Sequence, residues 1–373
     1  MTGLPLPPPY GTGTLADVLP SAASVLGVPG FMDRLSLGDR STIPDAVTVL
    51  LVDGLGWWPW RDRLHDTPAL AAMTGRQLST TIPSTTPTAL ASLGTGLPPG
   101  AHGIVGAAFR VSEDDAILHP LSWSAEPHPL AIQPEPTVFE RVASSGQPVV
   151  RVGASAYSDT GLTRAVLRGG EYAGVDSPDA LVERLARHKR GLAYAYVPDL
   201  DRTGHVHGVD STEWRACLTA VDALVGRVVE ALDERHLLLV TADHGMVDCP
   251  PAARVKLEDL PAFSLVDVVA GEPRMRHVYC RPGSADRLCV AWREALGERA
   301  WVLSRDEVAE AGLMGTPDDY ADRIGDVVVL ARGDTVLVSD VDPLVSSLVG
   351  QHGSVSDAEM DIPLLQAWGS GRG

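Results

Sequence analysis

Aspartates and histidines in this chain gather at the ends of apolar runs, where their side chains can hold metal ions. The run AVTVLLVDGLG ends at Asp53, GLAYAYVPDLDRTGH ends with Asp199, Asp201 and His205, and RHLLLVTADHGMVD ends at Asp243 and His244. His352 follows much later, in GQHGS. One acid after a strand is ordinary, since Asp-Gly is a turn signal. Three runs that each deliver Asp or Asp-His form a pattern. Mixed carboxylate and imidazole ligands suit zinc, with manganese or iron as alternatives. Asp53, Asp201, His205, Asp243, His244 and His352 are too many for one tetrahedral ion, and they suit two if a seventh group completes the set. Two divalent ions form the usual clamp for phosphoryl transfer, so the seventh group should be an oxygen nucleophile.

The stretch IPSTTPTALASLGTG, Ile82 to Gly96, supplies candidates: Ser84, Thr85, Thr86 and Thr88. The ordinary role of such hydroxyls is to cap and solvate a helix start. Thr86 precedes Pro87, a residue suited to the first helical position, so Thr86 is expected at the N-cap. Free N–H groups there favour an anion. Elsewhere, Asp199 competes with Asp201 and His207 with His205; a spacing of four favours Asp201 with His205. Trp57, Trp58 and Trp60 in GWWPW read as packing before any stacking role.

These residues need elements to bring them together. The apolar runs have the length and composition of buried strands in a parallel sheet. Helical patterns lie between them, notably SPDALVERLARHKR and STEWRACLTAVDALVGRVVEALDER. Strands alternating with helices imply an α/β fold, a mostly parallel central sheet flanked by helices. In such sheets function gathers outside the carboxyl ends of the strands. Residues 46–249 and 346–373 are expected to form this catalytic core. Residues 250–345 change texture and read as a small α+β insertion or cap. Residues 1–45 read as an N-terminal extension packing on the core, with a proline-rich start.

Composition narrows the function classes. The chain has 373 residues, of which 45% are hydrophobic and 21% charged, as in ordinary soluble proteins. A net charge of −18 argues against a nucleic-acid scaffold. It leaves room for a small anionic phosphate-ester substrate, because metal ions invert local charge. The four cysteines, Cys217, Cys249, Cys280 and Cys289, show no zinc-finger spacing and read as a reduced set. The start has no signal-peptide pattern and no run is long enough to span a membrane, so a cytoplasmic protein without membrane association is expected.

The motifs taken together resemble the alkaline phosphatase superfamily, nearest its nucleotide pyrophosphatase/phosphodiesterase branch, over about Val47 to Leu365. LLVDGLG, PSTTPTALASLGTGLPPGAHGI, DRTGHVHG, TADHGM and GQHGS stand in the family's order. The resemblance implies an alkaline phosphatase-like fold and two divalent metal ions. One would be held by Asp201, His205 and His352, the other by Asp53, Asp243, His244 and the nucleophile oxygen. It selects Thr86 as nucleophile, nine residues before the Thr of Thr95-Gly96. It implies hydrolysis of phosphodiester or nucleotide pyrophosphate bonds through a phospho-threonine. Phosphonoacetate hydrolase, phosphomonoesterase and sugar-phosphate mutase are the alternatives within the superfamily; a non-catalytic metal-binding protein ranks last. One position departs: the family's phosphodiesterases carry Asn three residues after the nucleophile, where this chain has Ala89.

Overall fold

Strand β1 (Ala46–Val52) is buried along its whole length, as its unbroken apolar run requires. The computed structural model describes residues 3–38, 43–111, 116–124, 126–316 and 319–371. Six further strands join β1 in the central sheet: β2 (Thr74–Ser79), β3 (Val149–Gly153), β4 (Glu171–Gly174), β5 (Gly191–Val197), β6 (His236–Thr241) and, far along the chain, β11 (Asp361–Trp368). Their order is β2-β11-β6-β1-β5-β3-β4. β6, β1, β5, β3 and β4 run parallel. β11 is antiparallel to both neighbours, β2 and β6. The fold is thus α/β with a mostly parallel sheet, as the alternation of strands and helices predicts.

Helix α1 (Val18–Val25) buries Val18, Leu19 and Ala22 in the main core. Helix α2 (Thr86–Thr95) is buried at every position. That explains its alanines, threonines and glycine, whose small side chains let it lie among other elements. Helix α3 (Asp199–His207) leads directly from β5. Helix α4 (Thr212–Ala231) is amphipathic and packs Trp214, Leu218, Val221, Val225 and Val228 inward. None of the described helices is long and apolar enough to cross a membrane.

Between β6 and β11 the chain builds a second sheet. Strands β7 (Val266–Glu272), β8 (Met275–Cys280), β9 (Ala300–Ser304) and β10 (Val327–Ala331) pair in the order β7-β8-β10-β9, all antiparallel. Helix α5 (Ala285–Leu296) covers this sheet with Leu288, Trp292 and Leu296. The tip of the β7–β8 hairpin does not face solvent. Glu272, Arg274, Arg276 and His277 are all buried there, and the Arg274 guanidinium grips the Glu359 carboxylate at 2.7 and 3.0 Å.

Candidate metal centre

Because β6, β1 and β5 are neighbours, their carboxyl ends deliver Asp243-His244, Asp53 and Asp201 to one place. Backbone bonds lock the ends together: Asp53 N donates to Val197 O at 3.0 Å and Asp201 N to Asp53 O at 3.1 Å. Gly54 makes this approach possible. Its φ is +73°, and a Cβ there would stand 2.9 Å from the Asp201 Cα. Gly245 is as constrained, since a Cβ would meet Ala358 O at 2.0 Å. On α3, Asp201 and His205 lie one turn apart, Oδ2 to Nε2 3.3 Å. His207 is exposed. Asp199 is exposed beside Arg202, 3.8 Å away. Neither belongs to the cluster.

All three histidines are held by their Nδ1 atoms. His205 Nδ1 donates to Gly350 O at 2.7 Å, His244 Nδ1 to Gly245 O at 2.9 Å and His352 Nδ1 to Ser84 O at 2.9 Å. A backbone carbonyl accepts only from N–H, so this arrangement fixes the tautomer and aims each Nε2 lone pair at the centre. His244 Nε2 lies 3.5 Å from Asp53 Oδ1 and 3.5 Å from Asp243 Oδ2. His352 Nε2 lies 3.7 Å from Asp201 Oδ1 and 3.3 Å from His205 Nε2. The His244 and His352 rings stack 3.6 Å apart.

These atoms converge without satisfying one another. Asp53 Oδ1, Asp201 Oδ1 and Asp243 Oδ2 are buried and have no hydrogen-bond partner among the described residues. A buried acceptor left so costs about 1–3 kcal/mol, more when charged. Two unprotonated imidazole nitrogens facing each other share nothing unless a cation joins them. The donor set therefore fits metal ions. Two groups of ligand atoms lie close enough: Asp201, His205 and His352, and Asp53, Asp201 and His244. Asp201 belongs to both. Asp243 stands beside the second group, its Oδ1 accepting from Gly54 N at 3.2 Å and His244 N at 3.1 Å. Burial, then the charges of Asp243 and Asp201, pushes the Asp53 carboxyl well above the ordinary carboxylate range. Burial also raises Asp201. Burial, then His244 and His205, holds His352 well below an ordinary histidine. Divalent cations reverse all three trends.

Thr86 joins this cluster, its Oγ1 3.1 Å from His244 Nε2. The expectation that Thr86 is the N-cap needs correction. Thr85, extended at φ −135° and ψ 143°, is the cap, Thr86 is the first helical residue and Pro87 the second. Proline's fixed φ is equally compatible with that place, so the sequence rule misses by one residue. The other hydroxyls do different work. Ser84 Oγ donates to Ser354 O at 2.7 Å and accepts from Gly353 N at 3.0 Å, tying the loop before α2 to the loop that carries His352. Thr85 makes no side-chain cap bond. Ala89 is fully buried inside α2.

Beside Thr86 and Asp53 opens a cavity of about 490 Å³. Its walls include Leu90, Leu162, Tyr157, Tyr172, Tyr194 and Tyr196. Among the described residues lining it, Arg202 is the only arginine or lysine. None of Trp57, Trp58 and Trp60 reaches it; Trp60 is in the core, and Trp58 Nε1 donates to Asp361 at 2.7 Å. Arg151 is engaged with Leu167 O at 2.6 Å and Gly170 O at 3.3 Å. His102, buried against Ser92 Oγ at 2.8 Å, ties α2 to the following turn. Sequence reasoning passed over Tyr196, whose hydroxyl donates to Asp53 Oδ2, and Tyr194. Their alternation in YAYV was the available signal, because residues two apart in a strand share a face. It also passed over Glu272, whose carboxyl packs where a Gly353 side chain would stand.

Residues 47–355 match the model of the type I phosphodiesterase / nucleotide pyrophosphatase family. Among solved structures, murine ectonucleotide pyrophosphatase / phosphodiesterase 5 is similar with a TM-score of 0.68 at 18% identity, covering 86% of this chain and 87% of that one. An inactive threonine-to-alanine form of the murine protein, in complex with AMP, gives a TM-score of 0.67 at 18% identity, with the same coverage. Phosphonoacetate hydrolase from Sinorhizobium meliloti 1021, in complex with phosphonoformate, gives 0.67 at 17% identity, covering 87% and 90%. Among curated proteins, phosphopentomutase of Anaeromyxobacter dehalogenans is 30% identical over 130 residues, 34% of this chain. The chain spans about a third of the length of the curated relatives it matches, 32% for this one.

Proposed function

The chain belongs to the type I phosphodiesterase / nucleotide pyrophosphatase family, and from that premise we propose a metal-dependent hydrolase of phosphodiester or nucleotide pyrophosphate bonds with Thr86 as nucleophile. One observation carries the reading: Thr86 Oγ1 stands 3.1 Å from His244 Nε2, among orphaned carboxylate oxygens and at the start of a helix. Two divalent ions, zinc with manganese or iron as alternatives, would supply Lewis-acid charge to phosphate and hydroxyl oxygens when bound. Asp201, His205 and His352 would hold one, and Asp53, Asp243, His244 and Thr86 the other, with Asp201 near enough to touch both.

The chain's own residues then do the following. The helix start and the ligand cluster orient Thr86 Oγ1 toward phosphorus. Oγ1 gives up its proton and bonds phosphorus as the ester bond on its far side breaks; the leaving oxygen keeps that electron pair, takes up a proton and departs as the alcohol. Water next cleaves the phospho-threonine, returning the hydroxyl and releasing the phosphate monoester. The Tyr196 hydroxyl and the Gly54 turn keep Asp53 in place throughout. A cavity with one arginine or lysine among its described lining residues suits the single charge of a diester better than a dianionic monoester or a carboxylate-bearing phosphonate. The inactive threonine-to-alanine relative and its AMP support this reading by analogy only.

Thr86→Ala tests it. Metal content should be kept at Asp201, His205 and His352, while hydrolysis of an aryl phosphodiester falls by at least about 1000-fold. Full-rate cleavage by a metal-loaded T86A protein would remove Thr86 from the mechanism.

A further inference from the structure

A second cavity, of about 620 Å³, opens at the far end of α2 from Thr86. It shares no lining residue with the cavity beside Thr86, and the ten residues of α2, about 15 Å of helix, stand between them. Its walls come from the proline-rich start of the chain, from Pro20 of α1, from the turn at Gly30 and Phe31, and from Thr95 to Pro98 after α2. Proline's fixed φ makes several of these walls rigid, so a ligand has little left to order. The whole chain carries a net charge of −18. Yet among the described residues lining this cavity the charged ones are two arginines, Arg34 and Arg141, with no aspartate or glutamate. Arg34 Nη1 donates to Asp17 Oδ1 at 3.4 Å, and Asp17 is outside the lining. Arg141, on the helix Val138–Ser144, donates from Nη2 to Gly30 O at 3.2 Å and lies 3.9 Å over the Phe31 ring. No carboxylate pairs with it among the described residues, so its charge and most of its N–H groups are left over. The N–H groups of Gly11 and Gly30, on the same walls, make no hydrogen bond among the described residues. The C-terminus of α2 adds about half a negative charge here, which the unpaired guanidinium exceeds.

The remaining lining is largely carbon. It includes the proline rings, Phe31 and the exposed Met32. Tyr10 gives its ring to the wall and turns its hydroxyl away, donating to Leu313 O at 3.1 Å. A small inorganic anion would leave these apolar walls unused, and a neutral apolar molecule would leave the guanidinium unanswered. A carboxylate on a flat apolar body meets both: the guanidinium fork pairs with the carboxylate, and the rings bury carbon. One unpaired guanidinium matches one negative charge, which favours a carboxylate over a dianionic phosphate. We propose that this cavity is a binding site for an organic anion, a carboxylate on a flat apolar body, held by Arg141 with Arg34 beside it. The site is separate from the metal centre and does not depend on the phosphodiesterase reading.

Calorimetric titration of the full chain with 2-naphthoate tests it, with 2-naphthamide as the neutral molecule of the same shape. Naphthoate should bind with a Kd below about 1 mM, at least about 10-fold tighter than the amide. Arg141→Met should weaken naphthoate about 10-fold and Arg34→Met about threefold, with the amide little affected. Met32→Glu puts a carboxylate on the same wall at an exposed position and should weaken naphthoate about 10-fold; it decides the matter if R141M does not fold. Affinity should be the same within about twofold with zinc bound and after EDTA, and in Arg202→Met, which alters the other cavity. No binding at about 1 mM, an amide that binds as tightly, or wild-type affinity in R141M or in M32E overturns the inference. So does naphthoate binding that disappears with the zinc or with Arg202, because the anion would then sit at the metal centre.

Discussion

At the scale of single residues, Asp201 is the pivot of the site. Its carboxylate falls in both groups of ligand atoms, whereas His205 falls in one. Asp201→Asn should therefore lower bound metal by more than one ion per chain, and His205→Ala by one. Metal analysis of the purified variants against wild type checks this; equal losses would mean that Asp201 serves a single ion. The histidines carry a second lesson. Each is oriented by a backbone carbonyl, from Gly350, Gly245 or Ser84, and no residue type in the sequence announces a carbonyl acceptor. The residues that converge were legible because candidate ligand side chains are particular residue types at particular places. The groups that aim them were not, because any residue can supply them.

At the scale of elements, the site is a property of three adjacent strand ends. The sequence shows three apolar runs, legible because burial on both faces demands unbroken apolar residues, each ending in candidate ligands. It does not show that β6, β1 and β5 are neighbours, which depends on pairing across long separations. It also does not place β11, antiparallel between β2 and β6. The β1–α3 junction offers a test of how tightly the elements must meet. Gly54→Ala should destabilise by at least about 1–2 kcal/mol from the positive φ alone, with more from the Asp201 backbone 2.9 Å away. Urea unfolding measures the loss, and metal affinity should fall with it. An unchanged midpoint and affinity would mean that the junction yields easily.

At the scale of the whole molecule, the 250–345 region behaves as a buttress. Its β7–β8 hairpin pushes Glu272, Arg274 and Arg276 into the interior, beneath the loop that carries His352. The texture change that marks this region is visible in the sequence; its buried tip is not, because Glu and Arg side chains are ordinarily exposed. Burial lifts the Glu272 carboxyl to about 8, against smaller lowering by the Thr85 hydroxyl and Arg276, while Glu359 and Asp342 add to the rise. A carboxyl raised in the folded state binds a proton that the unfolded chain has lost. Its contribution is therefore fully present below the unfolded value near 4.5 and is lost at about 1.4 kcal/mol per pH unit as pH rises toward 8. Glu272→Gln cannot titrate. Its stability relative to wild type, measured by urea unfolding of metal-free protein, should improve steadily from pH 5 to 8. A constant difference would show that Glu272 does not hold its proton in the folded protein.

The order of the chain has a consequence for how this protein is born. Asp53 and Thr86 emerge early from the ribosome, but His352 and β11 come only after the whole buttress has been made. Until then β2 and β6 lack the strand that joins them, and Asp201 and His205 lack the third member of their candidate ligand group. The nascent chain thus passes through a stage with open strand edges on β2 and β6, surfaces that invite pairing with other chains until β11 covers them.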